Sequence, residues 1–435
     1  MSTSEQDATE MLDRFLAELQ RRGGSDLHLR VGGPPRIRVD GILEGVEGTE
    51  SLTEDDTAGI AAAIVRPHLR DRFARGEEVD FAYALPGSEG RFRVNAYLQR
   101  DTVALVFRAI VTTPQTVEEL NLPEILRRLA DEPRGLVLVA GPTGSGKTST
   151  LAAMIDHINR NRSAHVVTIE DPIEVLHKDM QASISQRELG SDTPSFAAAM
   201  RAALRQDPDV ILVGEMRDSQ TVATALMAAE TGHLVLSTLH TTDATETINR
   251  IVEFFQPSEQ RQVRLVLAGV LRGTVCQRLV PTADGTGRIP ATEVLIVNGR
   301  VQSWIADESS RLDVQEIISE GDYYGMHSFD QTLLRLYESG KIDLRAAMAA
   351  SSNPHDLTVA MRLRGLDIGD GSAGSLAAAD AAGSGDELKT LVAQLAEPAD
   401  SPTSGRSDPP PPPVEVDDDM WLSPEARFSR RRRRP

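Results

Sequence analysis

Apolar positions at helical spacing run through residues 10–21, EMLDRFLAELQR, and the pattern stops at Gly23-Gly24. Five short strand-like segments follow: DLHLR, PRIRVDGIL, VDFAYAL, RFRVNAYLQ and TVALVFRAI. Glycine, proline and acidic turns separate them, and one helical stretch at 55–73 interrupts. The pattern predicts a small α+β unit, residues 1–112, with TTPQTVEEL as the linker behind it. From about 120 apolar strands and helices alternate. Strands are expected at 135–140, 165–169, 209–213 and 233–239, and helices at 148–160, 195–205 and 219–230. Buried parallel strands with helical crossovers make an α/β, doubly wound sheet that binds its ligand at the carboxyl ends of the strands. Residues 243–280 and 302–364 read mostly helical, with a strand-like run at 291–297, and complete a second domain, 113–366. Beyond 367 the composition turns to Gly, Ala, Ser and Asp, with prolines at 409–413 and arginines at 430–434. This predicts a disordered tail, 367–435, with one short amphipathic stretch at 386–395.

The chemistry concentrates where the first strand of the second domain ends. GLVLVAGPTGSGKT (135–148) is a strand, a glycine-rich loop with the spacing G-x-x-x-x-G-K-T, and the start of a helix. Gly141, Pro142, Thr143, Gly144, Ser145 and Gly146 form a loop whose N–H groups can face phosphate oxygens. The helix behind it points its positive end at the same anion. Lys147 is placed to reach the β- and γ-phosphates of a nucleoside triphosphate, and the Thr148 hydroxyl to ligate Mg²⁺. Two later strands end in acidic clusters: HVVTIE in Glu170-Asp171-Pro172-Ile173-Glu174, and DVILV in Gly214-Glu215-Met216-Arg217-Asp218. Hydrolysis needs one carboxylate at the metal, which suits Glu215, and one on the attacking water, which suits Glu174. A further strand, GHLVLSTLHTT, carries His233 and His240 at its ends. Either imidazole could sense a γ-phosphate or hold the water-positioning carboxylate.

Bulk composition narrows the partners. The 435 residues carry a formal charge of −19, so a broad nucleic-acid-gripping surface is disfavoured. One cysteine, Cys276, excludes an intrachain disulfide and a four-cysteine zinc site. Cys276 is expected in the core of a helical stretch. The polar N-terminus does not resemble a signal peptide, and no apolar run approaches the ~20 residues of a membrane span. A cytoplasmic protein is expected, meeting a membrane only through partners.

GPTGSGKT, TIEDPIE, ILVGEMRD and GHLVLSTLHTT occur in the order of the Walker A, Asp box, Walker B and His box that they resemble in secretion-superfamily ATPases. SDLHL (25–29), RFRVN (91–95), EPRGLVLV and GMHSFDQTL (325–333) resemble the type IV pilus retraction branch, the PilT/PilU-like ATPases. The resemblance spans about residues 10–365. It implies a PAS-like N-terminal domain, a RecA-like ATPase domain and a homohexamer at the cytoplasmic base of a pilus machine. That hexamer would act on an inner-membrane platform protein, with a paralogous ATPase as a further partner, and drive retraction and twitching motility. By motif, Lys147 and Thr148 bind ATP–Mg²⁺, Glu174 is the catalytic glutamate, Glu215 the Walker B acid, and His233 and His240 the His box. Arg93 and Arg108, with Arg91 as a weaker candidate, would reach the active site of a neighbouring subunit. In place of the branch's AIRNLIRE, residues 300–307 read RVQSWIAD, with both arginines lost to Gln302 and Ala306. Alternatives are a motor for another secretion or pilus-like system, a PilU-like accessory ATPase and a non-hydrolysing ATP-binding scaffold.

Overall fold

The computed structural model describes residues 3–366 apart from 40, 88, 89, 111, 112, 308 and 311. Residue 112, at the predicted domain boundary, and the whole predicted tail, 367–435, lie outside the described residues. The N-terminal unit is α1 (Thr3–Arg21), β1 (Asp26–Arg30), β2 (Arg36–Val39), β3 (Ile42–Gly45), α2 (Glu54–Ile64), α3 (Pro67–Ala74), β4 (Val79–Ala84), β5 (Arg91–Gln99) and β6 (Thr102–Ala109). Its sheet runs β3-β2-β1-β6-β5-β4, antiparallel throughout. Alternation sends Phe92 and Val94 of β5, Leu105 and Phe107 of β6, and Leu27 and Leu29 of β1 into one core with Leu12, Leu16 and Leu19 of α1. The opposite sheet face stays polar, as an antiparallel sheet covered on one side permits. The stretch expected as one helix at 55–73 is two. Val65 and Arg66 are extended because a residue ahead of proline is pushed out of the helical region, and Pro67 then opens α3.

The second unit continues with α4 (Ile125–Ala130), β7 (Gly135–Ala140), α5 (Lys147–Asn161), β8 (His165–Glu170), β9 (Ser183–Glu188), α6 (Phe196–Ala203), β10 (Val210–Val213), α7 (Ser219–Glu230), β11 (Leu234–Leu239), α8 (Ala244–Glu253), α9 (Pro257–Val270), β12 (Leu271–Pro281) and β13 (Arg288–Ile296). Helices α10 (Gly299–Ala306), α11 (Val314–Ser319), α12 (Phe329–Glu338), α13 (Leu344–Ala350) and α14 (Pro354–Leu363) complete it. The sheet runs β13-β12-β7-β11-β10-β8-β9. All its pairs are parallel except β12–β13. Val137 and Val139 face α4 and α5 on one side, while Leu136 and Leu138 face α6 to α9 on the other. Strands β7, β10 and β11 are therefore buried along their whole length. The helical expectation for 243–280 is corrected: 271–281 is a strand, and Cys276 sits on it, fully buried. The segment LRGTVCQRLVP has neither clean alternation nor helical spacing to decide its type, and it is a strand enclosed between neighbours. Strand β9 was not anticipated, because SISQRE is polar and lies at the sheet edge.

The two units have separate cores, so they should respond separately to core damage. Phe107→Ala removes a fully buried ring at a cost of about 3–5 kcal/mol. Calorimetry of the full chain should show the N-terminal transition moved down. The other transition, marked by its upward shift with MgADP, should stay in place.

Candidate nucleotide site

Strand β7 delivers the chain to Gly141, and geometry there demands glycine. Its φ is +150°, and a Cβ would lie 2.4 Å from the Gln277 carbonyl oxygen. Gly146 caps α5 in the left-handed region, with φ +90°, and no side chain caps that helix. The first-turn N–H groups of α5 therefore open onto a cavity of about 590 Å³. Thr143 to Thr148, Glu170, Asp171, Glu174, His177, Glu215, Arg217, His240 and Arg288 all line it. The topology brings them together: β7, β8, β10 and β11 are parallel neighbours, so their carboxyl ends share one edge.

Lys147 is buried, and its Nζ donates to the Gly141 and Pro142 carbonyls at 2.7 and 3.0 Å. Burial pulls its ammonium below the ordinary value, while the charges of Glu215 and Glu174 act against that. Glu215 follows β10. It meets Arg217 Nη2 at 2.8 Å and His240 Nε2 at 3.3 Å. Burial by itself would raise the Glu215 carboxyl, but Arg217 and His240 outweigh it and hold the group below the usual range. That favours its anionic form. Glu170 behaves oppositely. Burial raises it, and it accepts from Thr168 Oγ1 at 2.6 Å, from Gln186 Nε2 at 3.2 Å and from the Glu174 backbone N–H. It thus holds the loop that presents Glu174. Glu188 fastens that loop a second time. Its Oε2 lies 3.4 Å from the Ile173 N–H and 3.2 Å from Arg91 Nη2, across the boundary with the N-terminal unit. Among the described residues no cluster of three His, Cys, Asp or Glu side chains could hold a metal alone. One carboxylate, one hydroxyl and phosphate oxygens are a donor set that suits Mg²⁺.

Not every sequence candidate gathers here. His233 lies at the far end of β11, beyond the six-residue span Leu234–Leu239 from His240. Its Nδ1 lies 2.9 Å from the Ala228 carbonyl at the end of α7. A strand of that length separates the two imidazoles by about 20 Å, so His233 is removed from the candidate site. Arg93 and Arg108 are on the outer face of the N-terminal sheet, directly opposite each other, and do not line the cavity. Sequence reasoning missed Glu170 as a support for Glu174, and it missed His177, Arg217 and Arg288. Glu170 and Arg217 lay inside clusters already noted. Arg288, on β13, carried no local signal.

A glycine-rich loop facing carboxylates from neighbouring parallel strands defines a P-loop ATPase. Residues 3–321 match the family described as Type II/IV secretion system protein. The twitching motility protein of Neisseria gonorrhoeae is 44% identical over 324 residues, 74% of this chain and 86% of that protein. The type IV pilus ATPase PilU of Pseudomonas aeruginosa is 40% identical over 351 residues, 81% of this chain and 91% of that one. The crystal structure of the pilus retraction motor PilT with bound ADP superposes with a TM-score of 0.74 at 43% identity, covering 80% of this chain and 98% of that one. The chain belongs to the Type II/IV secretion system protein family, and within it is similar to the pilus retraction ATPases.

The two histidines separate in an assay. His240→Ala should lower ATP turnover by about tenfold or more, since it removes a donor at the reacting end. His233→Ala should leave turnover within about threefold and cost roughly 1 kcal/mol of stability, the worth of one hydrogen bond. His177 supplies a pH signature. Burial pushes its imidazole from 6.5 down to about 4. Between those values the unfolded chain binds a proton that the folded chain does not, so His177 makes stability fall as pH drops through that window. Urea unfolding of His177→Gln should show a smaller acid loss than wild type from pH 6.5 to 4.

Proposed function

We propose that the chain is the ATP-hydrolysing motor of type IV pilus retraction. The observation that carries this reading is the gathering of Lys147, Thr148, Glu174, Glu215 and His240 around one cavity at the phosphate loop. Support for the biological output comes from relatives named for twitching motility and pilus retraction that are covered over most of their length. The loop N–H groups and Lys147 hold the β- and γ-phosphates. Mg²⁺, held by Thr148 and the Glu215 side of the cavity, supplies positive charge to the phosphate oxygens when bound. Glu174, held through Glu170 and Glu188, takes the proton of the attacking water. Glu215 and His240 form the pair that registers the γ-phosphate. The motor works as a homohexamer. A PAS-like N-terminal domain offers Arg93 and Arg108 to the neighbour's nucleotide, and an inner-membrane platform protein receives the motion on the cytoplasmic side. No helix among the described residues is long and apolar enough to cross a membrane, which suits attachment through such a partner. Nucleic acid has no part in this scheme.

One observation favours a second reading, a PilU-like accessory ATPase acting beside a main motor. Helix α10 keeps Val301 and Ile305 buried, but it bears Gln302 and Ala306 where the retraction branch has arginines. The helix is held in place while its outer surface chemistry is changed.

Glu174→Gln should retain MgADP binding and lose most turnover, about a hundredfold or more for a general base. Wild-type phosphate release by that variant would remove Glu174 from its role. Arg93→Ala should be inactive in assembled rings and partly rescued by mixing with Lys147→Ala subunits; no rescue would argue against action between subunits. Pilus retraction scored in a deletion strain separates the two readings. A main motor abolishes retraction when lost, whereas an accessory leaves it measurable at low load.

A further inference from the structure

We propose that Gln277 is a positioning residue of the phosphate loop and that β12 links the loop to the C-terminal helices. Cys276 pairs with Ala140 across the β12–β7 boundary, so Gln277 stands beside Gly141, where β7 becomes the loop. The side chain is buried and both ends of its amide are engaged. Nε2 donates to the Ser145 carbonyl at 2.7 Å, and Oε1 accepts from Thr150 Oγ1 at 2.7 Å. The same residue crowds both ends of the loop. A Cβ on Gly141 would meet its carbonyl oxygen at 2.4 Å, and one on Gly146 would meet Nε2 at 2.7 Å. Its side chain, 127 residues from Thr150, thus ties the last turn of the loop to the first turn of α5, while its backbone carbonyl packs against the start of the loop.

The loop has a physical need for such a brace. Most of its N–H groups must stay free for phosphate, and its own backbone supplies a turn bond, Ser145 N–H to the Pro142 carbonyl at 3.2 Å, rather than a ladder. A carboxamide holds an N–H₂ donor group and a carbonyl acceptor at a fixed separation, and here each end is used. Holding the loop in its binding shape before the ligand arrives lowers the ordering cost of binding. The next residue grips the other way. Arg278 Nη1 donates to the Ala350 carbonyl of α13 at 2.6 Å, and its guanidinium lies 4.0 Å above the Phe329 ring of α12. Adjacent residues of one strand therefore hold the phosphate loop and the C-terminal helices.

The inference rests on the nucleotide-binding reading, and one titration series keeps the two apart. MgADP is titrated by calorimetry into full-length wild type, Gln277→Met and Thr150→Val. Methionine keeps the volume and removes both bonds, while valine keeps the shape of threonine and removes one. Wild type that binds no MgADP overturns the functional reading. With wild type binding, Gln277→Met should weaken MgADP about tenfold and Thr150→Val about threefold, as expected for lost buried hydrogen bonds. KM for ATP should rise in step while kcat stays within about threefold, and Gln277→Asn should not rescue, because its amide is one methylene too short. In hydrogen exchange, MgADP should raise amide protection across α12 and α13 in wild type but not in Gln277→Met. Affinity within twofold of wild type in the methionine variant overturns the proposal, as does a nucleotide response of α12 and α13 that survives the substitution. If Gln277→Met fails to fold, unaltered affinity in Thr150→Val overturns it instead.

Discussion

The ligand end of this molecule depends on one constraint: a stretch of backbone must keep most of its N–H groups for a ligand and still hold a fixed shape. Backbone that gives up its own hydrogen-bond ladder has little of its own to fix its shape, so such a loop keeps it only where the surroundings impose it. Here the imposition comes from three sides. Strand β7 is buried over its whole length and fixes where the loop begins. Lys147 turns back onto the Gly141 and Pro142 carbonyls and closes the ring from inside. Gln277 occupies the space that side chains at Gly141 and Gly146 would need. The glycines and the lysine are read in many proteins as ligand chemistry alone. In this chain they are equally the solution to a packing problem.

The parallel sheet converts that local solution into a site. Because β8, β10 and β11 run in the same direction as β7, each ends at the same edge, and whatever follows each strand is presented to the loop. Glu215 and His240 arrive this way from β10 and β11, already paired at 3.3 Å. The segment after β8 needs more help, since Glu174 lies four residues beyond the strand. Glu170 and Glu188 provide it by accepting from the backbone N–H groups of Glu174 and Ile173 respectively. Burial raises the Glu170 carboxyl and the charges around Glu215 lower that one. Two carboxylates of one cavity are thus set to different tasks by their surroundings.

The contiguous parts of this arrangement were legible from the residues alone. The loop, the acidic clusters and the strands they follow are each written within a dozen residues, and the N-terminal strands alternate cleanly because one face of their sheet is polar. What was not legible lies across long separations or has no period. LRGTVCQRLVP reads as helix as readily as strand, since both neighbours bury it. Gln277 has nothing nearby to mark it, because its partners are Ser145 and Thr150. His233 and His240 look equivalent as a pair bracketing a strand, and only the strand's length shows that they serve opposite ends. SISQRE lacks the apolar signature that its edge position does not require.

The outer face of the N-terminal sheet carries a tension that bears on assembly. Arg93 and Arg108 stand directly opposite each other in the β5–β6 pairing, an arrangement that like charges disfavour. Asp26 meets Arg108 at 2.8 Å, and Asp80 meets Arg93 at 3.7 Å. Neither contact hides its arginine: the Arg108 side chain is 71% exposed and that of Arg93 47%. Arg91, two residues along the same strand, is 23% exposed and bound to Glu188 within the chain. Arg91, Arg93 and Arg108 therefore divide. Arg91 fastens the N-terminal unit to the loop that carries Glu174, while Arg93 and Arg108 keep a concentrated positive charge turned outward. Two repelling cations are relieved most by an anion that both can reach, and that is what the role proposed for them at a neighbour's nucleotide would supply.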